Sequence, residues 1–108
     1  MKLANFKLLT IICEPVLLPR VLELARTHGS TGFTVIEVSG EGKSKKSSGE
    51  IPDAKIKIEI VVEPALALKL MEIMAERYFE NYALITYSAD ISILRPEKFE
   101  NQPPMEKK

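Results

Sequence analysis

Near the middle of the chain, Gly40-Glu41-Gly42-Lys43-Ser44-Lys45-Lys46-Ser47-Ser48-Gly49-Glu50 interrupts two strongly β-patterned runs. This break constrains the fold most, because it joins two strands through a polar loop with no apolar residue to bury before Ile51. Glycine lets the backbone turn with positive φ and bring N–H groups close to an anion, while Lys43, Lys45 and Lys46 add ammonium donors. Such a loop is either a solvated hairpin connection or a phosphate cradle. Its flanks must decide.

Before the loop, Phe33 to Val38 is β-branched and bounded by Gly32 and Gly40, which predicts a strand. After it, Ile56, Ile58 and Ile60 alternate with Lys57 and Glu59, a strand with one wet face. Lys7 to Cys13 is an apolar, β-branched run stopped by Glu14-Pro15, a largely buried first strand. Ile85, Tyr87, Ala89, Ile91 and Ile93 alternate with Thr86, Ser88, Asp90 and Ser92, the clearest period of two in the chain. Two segments switch to a helical period. From Val16, the sets Leu17, Val21, Leu24 and Leu18, Leu22, Ala25 form an amphipathic stripe, with Pro15 and Pro19 tolerable only in the first turn and Gly29 as the stop. From Pro64 to near Asn81, Leu66, Leu70, Ile73 and Ala67, Met71, Met74, Tyr78 make the apolar side of a second helix.

The order β α β β α β predicts an α+β, ferredoxin-like two-layer sandwich, with two helices covering one face of a four-stranded sheet. The other face carries hydroxyls, Tyr87 and several apolar side chains, too apolar for bulk water and too polar for a private core. It is expected to meet copies of itself. The expected domain spans 1–96 with its long loop at about 40–54, and 97–108, which contains Pro103-Pro104, is expected to be a polar, mobile tail.

With 108 residues the chain makes one small domain. Lys plus Arg equals Asp plus Glu at 15 each, so no basic footprint for nucleic acid or anionic lipid exists and any anion must be bound locally. Cys13 is the only cysteine, which excludes an intrachain disulfide or a CxxC pair and suits a reducing cytoplasm. Without an apolar leader before Glu14, or a run approaching about 20 apolar residues, neither export nor membrane insertion is expected.

Several sharper readings fail on residues. Gly42-Lys43-Ser44 ends like a phosphate-binding P-loop, but Glu37 stands where the first glycine belongs and a strand follows instead of a helix. His28 sits at a helix C-terminus, where it caps more readily than it catalyses, and a zinc site lacks ligands. Cys13 and the Met71 and Met74 pair read as core. An RNA-recognition domain shares the element order, yet Lys55-Ile56-Lys57-Ile58-Glu59-Ile60 has no aromatic to stack bases. No base or metal set for an enzyme is present.

Thr31-Gly32-Phe33-Thr34-Val35-Ile36-Glu37-Val38-Ser39-Gly40-Glu41-Gly42-Lys43, with Lys57-Ile58-Glu59-Ile60-Val61-Val62 downstream, resembles the PII signalling family, from the signature entering its long T-loop to its third strand. The resemblance covers residues 6 to about 96. It implies a homotrimer of ferredoxin-like subunits, adenylyl nucleotides in the clefts between neighbours, and a T-loop that reports occupancy to a protein target. Departures narrow it: the loop has no tyrosine for uridylylation, Ser44 replaces the glutamine that helps bind metal and 2-oxoglutarate, and Glu80-Asn81-Tyr82-Ala83 replaces the Gly-Asp-Gly-Lys phosphate loop. The run from Tyr78 to Tyr87 looks closer to the PII-like branch of SbtB and carboxysome-associated proteins. That branch implies AMP, ADP, ATP or cyclic AMP as ligand, bicarbonate as a further one, no cofactor, and a bicarbonate transporter or carboxysome-associated protein as target. Its paired-cysteine C-terminal loop is absent, so redox control does not carry over.

By the same resemblance Thr34 bonds the adenine, Ile12 and Val61 line it, and the backbone of Gly40, Glu41 and Gly42 surrounds ribose and phosphates. Lys43, Lys45, Lys46 and Arg95 supply phosphate charge beside Ser44, Asn81, Tyr82, Ala83 and Leu84 close the pocket, and Glu59 lies near the nucleotide or is simply a wet-face residue. The competing reading is another ferredoxin-fold small-molecule sensor, such as an ACT-type amino-acid sensor using a strand–helix interface.

Overall fold

The computed structural model describes residues 3–40 and 53–100. Strands β1 (Ala4–Cys13), β2 (Thr34–Gly40), β3 (Asp53–Val62) and β4 (Leu84–Ile93) form one antiparallel sheet in the order β2-β3-β1-β4, with helices α1 (Leu18–Thr27) and α2 (Pro64–Tyr78) in the two crossovers. This is the ferredoxin-like split βαβ arrangement that the element order predicts.

Prolines set the helix entrances. Pro15 opens a 3₁₀ turn over Pro15–Leu17, so α1 begins at Leu18 and not at Val16, with Pro19 still inside its first turn. Pro64 is the first residue of α2, where its missing N–H costs nothing. At the other end of α1, His28 Nδ1 lies 3.0 Å from the Leu24 carbonyl oxygen, and Gly29 takes φ 102°, a left-handed cap that other residues adopt only under strain. Helix α2 stops at Tyr78, short of Asn81, and the Asn81 and Tyr82 N–H groups both donate to the Tyr78 carbonyl in the turn that follows.

The core lies between the helices and one sheet face. Leu9, Ile11 and Cys13 of β1 and Ile56, Ile58, Ile60 and Val62 of β3 meet Leu17, Val21, Leu24 and Ala25 from one helical segment and Leu66, Ala67, Leu70, Met74 and Tyr78 from the other. Both helical stripes fall where their periodicity puts them. β1 starts three residues before the expected Lys7, since Ala4 pairs with Ile93 and the β4 partner carries the ladder outward. Past β4, Pro96–Lys98 makes a 3₁₀ turn that sets the Phe99 ring edge-on to Phe6, centroids 6.4 Å apart. Expectations for 41–52 and 101–108 lie outside the described residues. No helix among the described residues is long and apolar enough to cross a membrane.

Candidate functional site

Register partners in a sheet share a face, so the ladders fix the surface opposite the helices. One row runs Thr34, Glu59, Thr10, Tyr87 across all four strands, and the next, toward the loop end, runs Ile36, Lys57, Ile12, Ile85. On the far side Val61, Leu8 and Ala89 continue the surface. Thr34, Glu59, Ile12 and Val61 therefore share one face, with Thr34 directly opposite Glu59. Lys57 Nζ lies 3.6 Å from Glu59 Oε2, both half-buried. Apolar groups beside this pair remain open: Ile85 is 56% and Tyr87 47% exposed, although Thr10, between Glu59 and Tyr87, is only 2% exposed.

The loop end is built by three connections. Gly40 closes β2 opposite Asp53, and Cys13 meets Leu84 at the same end of the sheet. In the turn before β4, the Asn81 and Tyr82 N–H groups donate to Tyr78 O at 3.3 and 3.0 Å, and the Ala83 N–H donates to Glu14 Oε2 at 2.9 Å. Tyr82 packs edge-on against Tyr78, centroids 5.9 Å apart, while Asn81 and Ala83 are exposed. Leu84 puts its side chain into the core, leaving only its main chain for a ligand.

Arg95 does not join them within one chain. It follows Ile93 at the opposite end of β4, and a ten-residue strand at ~3.3 Å per residue separates it from the Asn81–Ala83 turn by about 30 Å. Glu41, Gly42, Lys43, Ser44, Lys45 and Lys46 lie outside the described residues.

Two residues that the sequence did not single out belong to this surface. Lys57 is paired to Glu59 and its i, i+2 spacing on a wet strand face was the available signal. Glu14 gave no local signal, because its partner lies 69 residues away. Cys13, fully buried beneath them, is pushed up from 9.0 to about 11 by burial first and the Glu14 charge second, with Lys55 opposing, so it is a neutral thiol at physiological pH. Among the described residues no group of three or more His, Cys, Asp or Glu could hold a metal ion.

A βαββαβ sandwich with a half-apolar outer face and a long β2–β3 connection defines a small class of ferredoxin-like proteins. The model of the nitrogen regulatory protein P-II family matches residues 6–98. The chain belongs to that family. A PII-like signalling protein from Thermus thermophilus is 32% identical over 92% of this chain and 99% of its own, with a TM-score of 0.78. CPII from Thiomonas intermedia, in its complex with ADP, AMP and acetate, is 30% identical over 94% of this chain and 100% of its own, with a TM-score of 0.80. The same CPII bound to ADP and bicarbonate is 31% identical over 91% and 97%, with a TM-score of 0.79.

Proposed function

We propose that this protein is a non-enzymatic PII-like regulator that binds adenylyl nucleotides in clefts between three copies of the chain and acts on a protein target through its T-loop, residues 40–54. The observation that carries the reading is the outer face: Thr34 opposite Glu59, flanked by Ile12 and Val61, forms an open lining whose opposing wall the described residues do not supply. Homotrimer formation supplies that wall, and brings a neighbour's Arg95 within reach of phosphates that this chain's own Arg95 cannot approach. Lys43, Lys45 and Lys46, with the Gly40 to Gly42 backbone and Ser44, pair with the phosphates and so couple ligand chemistry to loop shape.

That CPII holds ADP, AMP and bicarbonate supports adenylyl nucleotides, with bicarbonate as a further ligand, and we propose with it a cytoplasmic role in regulating bicarbonate uptake or a carboxysome-associated partner. The family match leaves the ACT-type alternative without support.

Light scattering and calorimetry test the proposal together. A mass about three times 12.1 kDa is expected, with saturable binding of at least one of AMP, ADP, ATP or cyclic AMP, measured with and without bicarbonate. A monomer, or no heat with any of the four, overturns it.

A further inference from the structure

We propose that Glu14 is a specificity-determining residue: its carboxylate, bonded to the Ala83 N–H, is an internal anion that biases the cleft toward nucleotides with few phosphates. The inference rests on the nucleotide-binding reading above.

The turn from Asn81 to Ala83 carries three backbone N–H groups, each already bonded within the chain. Tyr78 O takes two of them, the N–H groups of Asn81 and Tyr82. Only Ala83 N–H is held by a side chain, and the acceptor, Glu14 Oε2 at 2.9 Å, is an oxygen of the kind a phosphate would offer. The chain thus fills from within the place where a turn of exposed N–H groups binds an external anion. The full charge stays at the loop end, where Glu14 also acts on Cys13. Lys55, from β3, is the cation whose field reaches the same thiol. Each added phosphate brings negative charge toward this carboxylate, so discrimination comes from repulsion as well as from attraction to lysines. Adenosine meets neither effect.

Glu14→Gln removes the charge and retains a carbonyl oxygen for Ala83 N–H. Calorimetry should show the ATP-to-adenosine affinity ratio rising about tenfold over the wild type, and the ADP-to-adenosine ratio rising less. If both ratios stay unchanged, Glu14 only braces the turn and the proposal fails. A second measurement does not depend on adenine binding: the Ala83 amide signal followed by two-dimensional NMR during titration with inorganic pyrophosphate. The expected result is a larger saturable shift in Glu14→Gln than in the wild type. Should adenosine and every nucleotide fail to bind either form, the nucleotide reading is wrong. The pyrophosphate titration then decides Glu14 by itself, and equal shifts in the two forms overturn the proposal.

Discussion

The two faces of β3 come from one ten-residue strand and obey opposite rules. Ile56, Ile58, Ile60 and Val62 point to the helices and are all buried. Lys55, Lys57, Glu59 and Val61 point away and are only half-covered. The first set is satisfied by the chain's own helices, so its contacts stabilise the subunit. The second set mixes an ion pair with apolar surface that none of the described residues covers, so its chemistry remains available for a ligand or a neighbouring copy. Burial that is complete within the chain builds the fold, and burial left incomplete builds the site.

The largest effect expected on the inner face is that of Ile58→Ala. Ile58 is fully buried, so the lost packing and residual cavity should cost about 2–5 kcal/mol, read as a lower urea midpoint with an unchanged slope. A loss below about 1 kcal/mol would break the contrast.

Cys13, at the end of the same inner face, gives the next effect. Its thiol is raised from 9.0 to about 11 in the folded protein, so the stabilisation is present below pH 9 and is lost as pH rises through 11. The two-unit difference corresponds to about 2–3 kcal/mol. Chemical denaturation from pH 8 to 11.5 should show a shallower alkaline decline in Cys13→Ala than in the wild type, whatever the variant's stability at neutral pH.

On the outer face, Ile85→Ser should cost the subunit less than about 1 kcal/mol, because Ile85 is more than half exposed before assembly. The same substitution should weaken self-association, read as a lower mass on dilution. A large subunit cost with unchanged assembly would reverse the roles of the two faces.

At the margin of the core, the exposed Arg26 guanidinium lies 5.1 Å from the ring centroid of Phe33, which is partly buried against the helix-side cluster. Arg26→Ala should cost only about 0.5–1 kcal/mol by thermal denaturation.

Much of this was legible in the sequence because it is periodic. The alternation in β3 and β4 and the stripes of α1 and α2 name the buried residues directly, and Gly29 and Pro64 mark helix ends by backbone chemistry. The limits of α1 and α2 were less legible. Pro15 shifts the first helix start through a tight turn, and the second ends at Tyr78 with no Gly or Pro in the next five residues to mark the stop. The site was half-legible. Thr34, Glu59, Ile12 and Val61 fall together because strand parity is encoded, and the family signature points to them. Leu84 lies in the Tyr78–Tyr87 run that resembles the PII-like branch, but its pairing with Cys13 sends its side chain inward. Glu14 was invisible because its partner is set by the closure of the whole fold.

Phe99 resting on Phe6 has a practical consequence for anyone attaching a reporter to this protein. Leu3 and Phe99 lie near the same end of the sheet, about 30 Å along the strands from the Asn81–Ala83 turn. A dye or tether at either point would leave the Asn81–Ala83 turn unencumbered. Phe99, however, packs on the outer-face residue Phe6, so a bulky label there competes with packing between copies, whereas the exposed helix residue Lys69 offers an attachment point that avoids both regions.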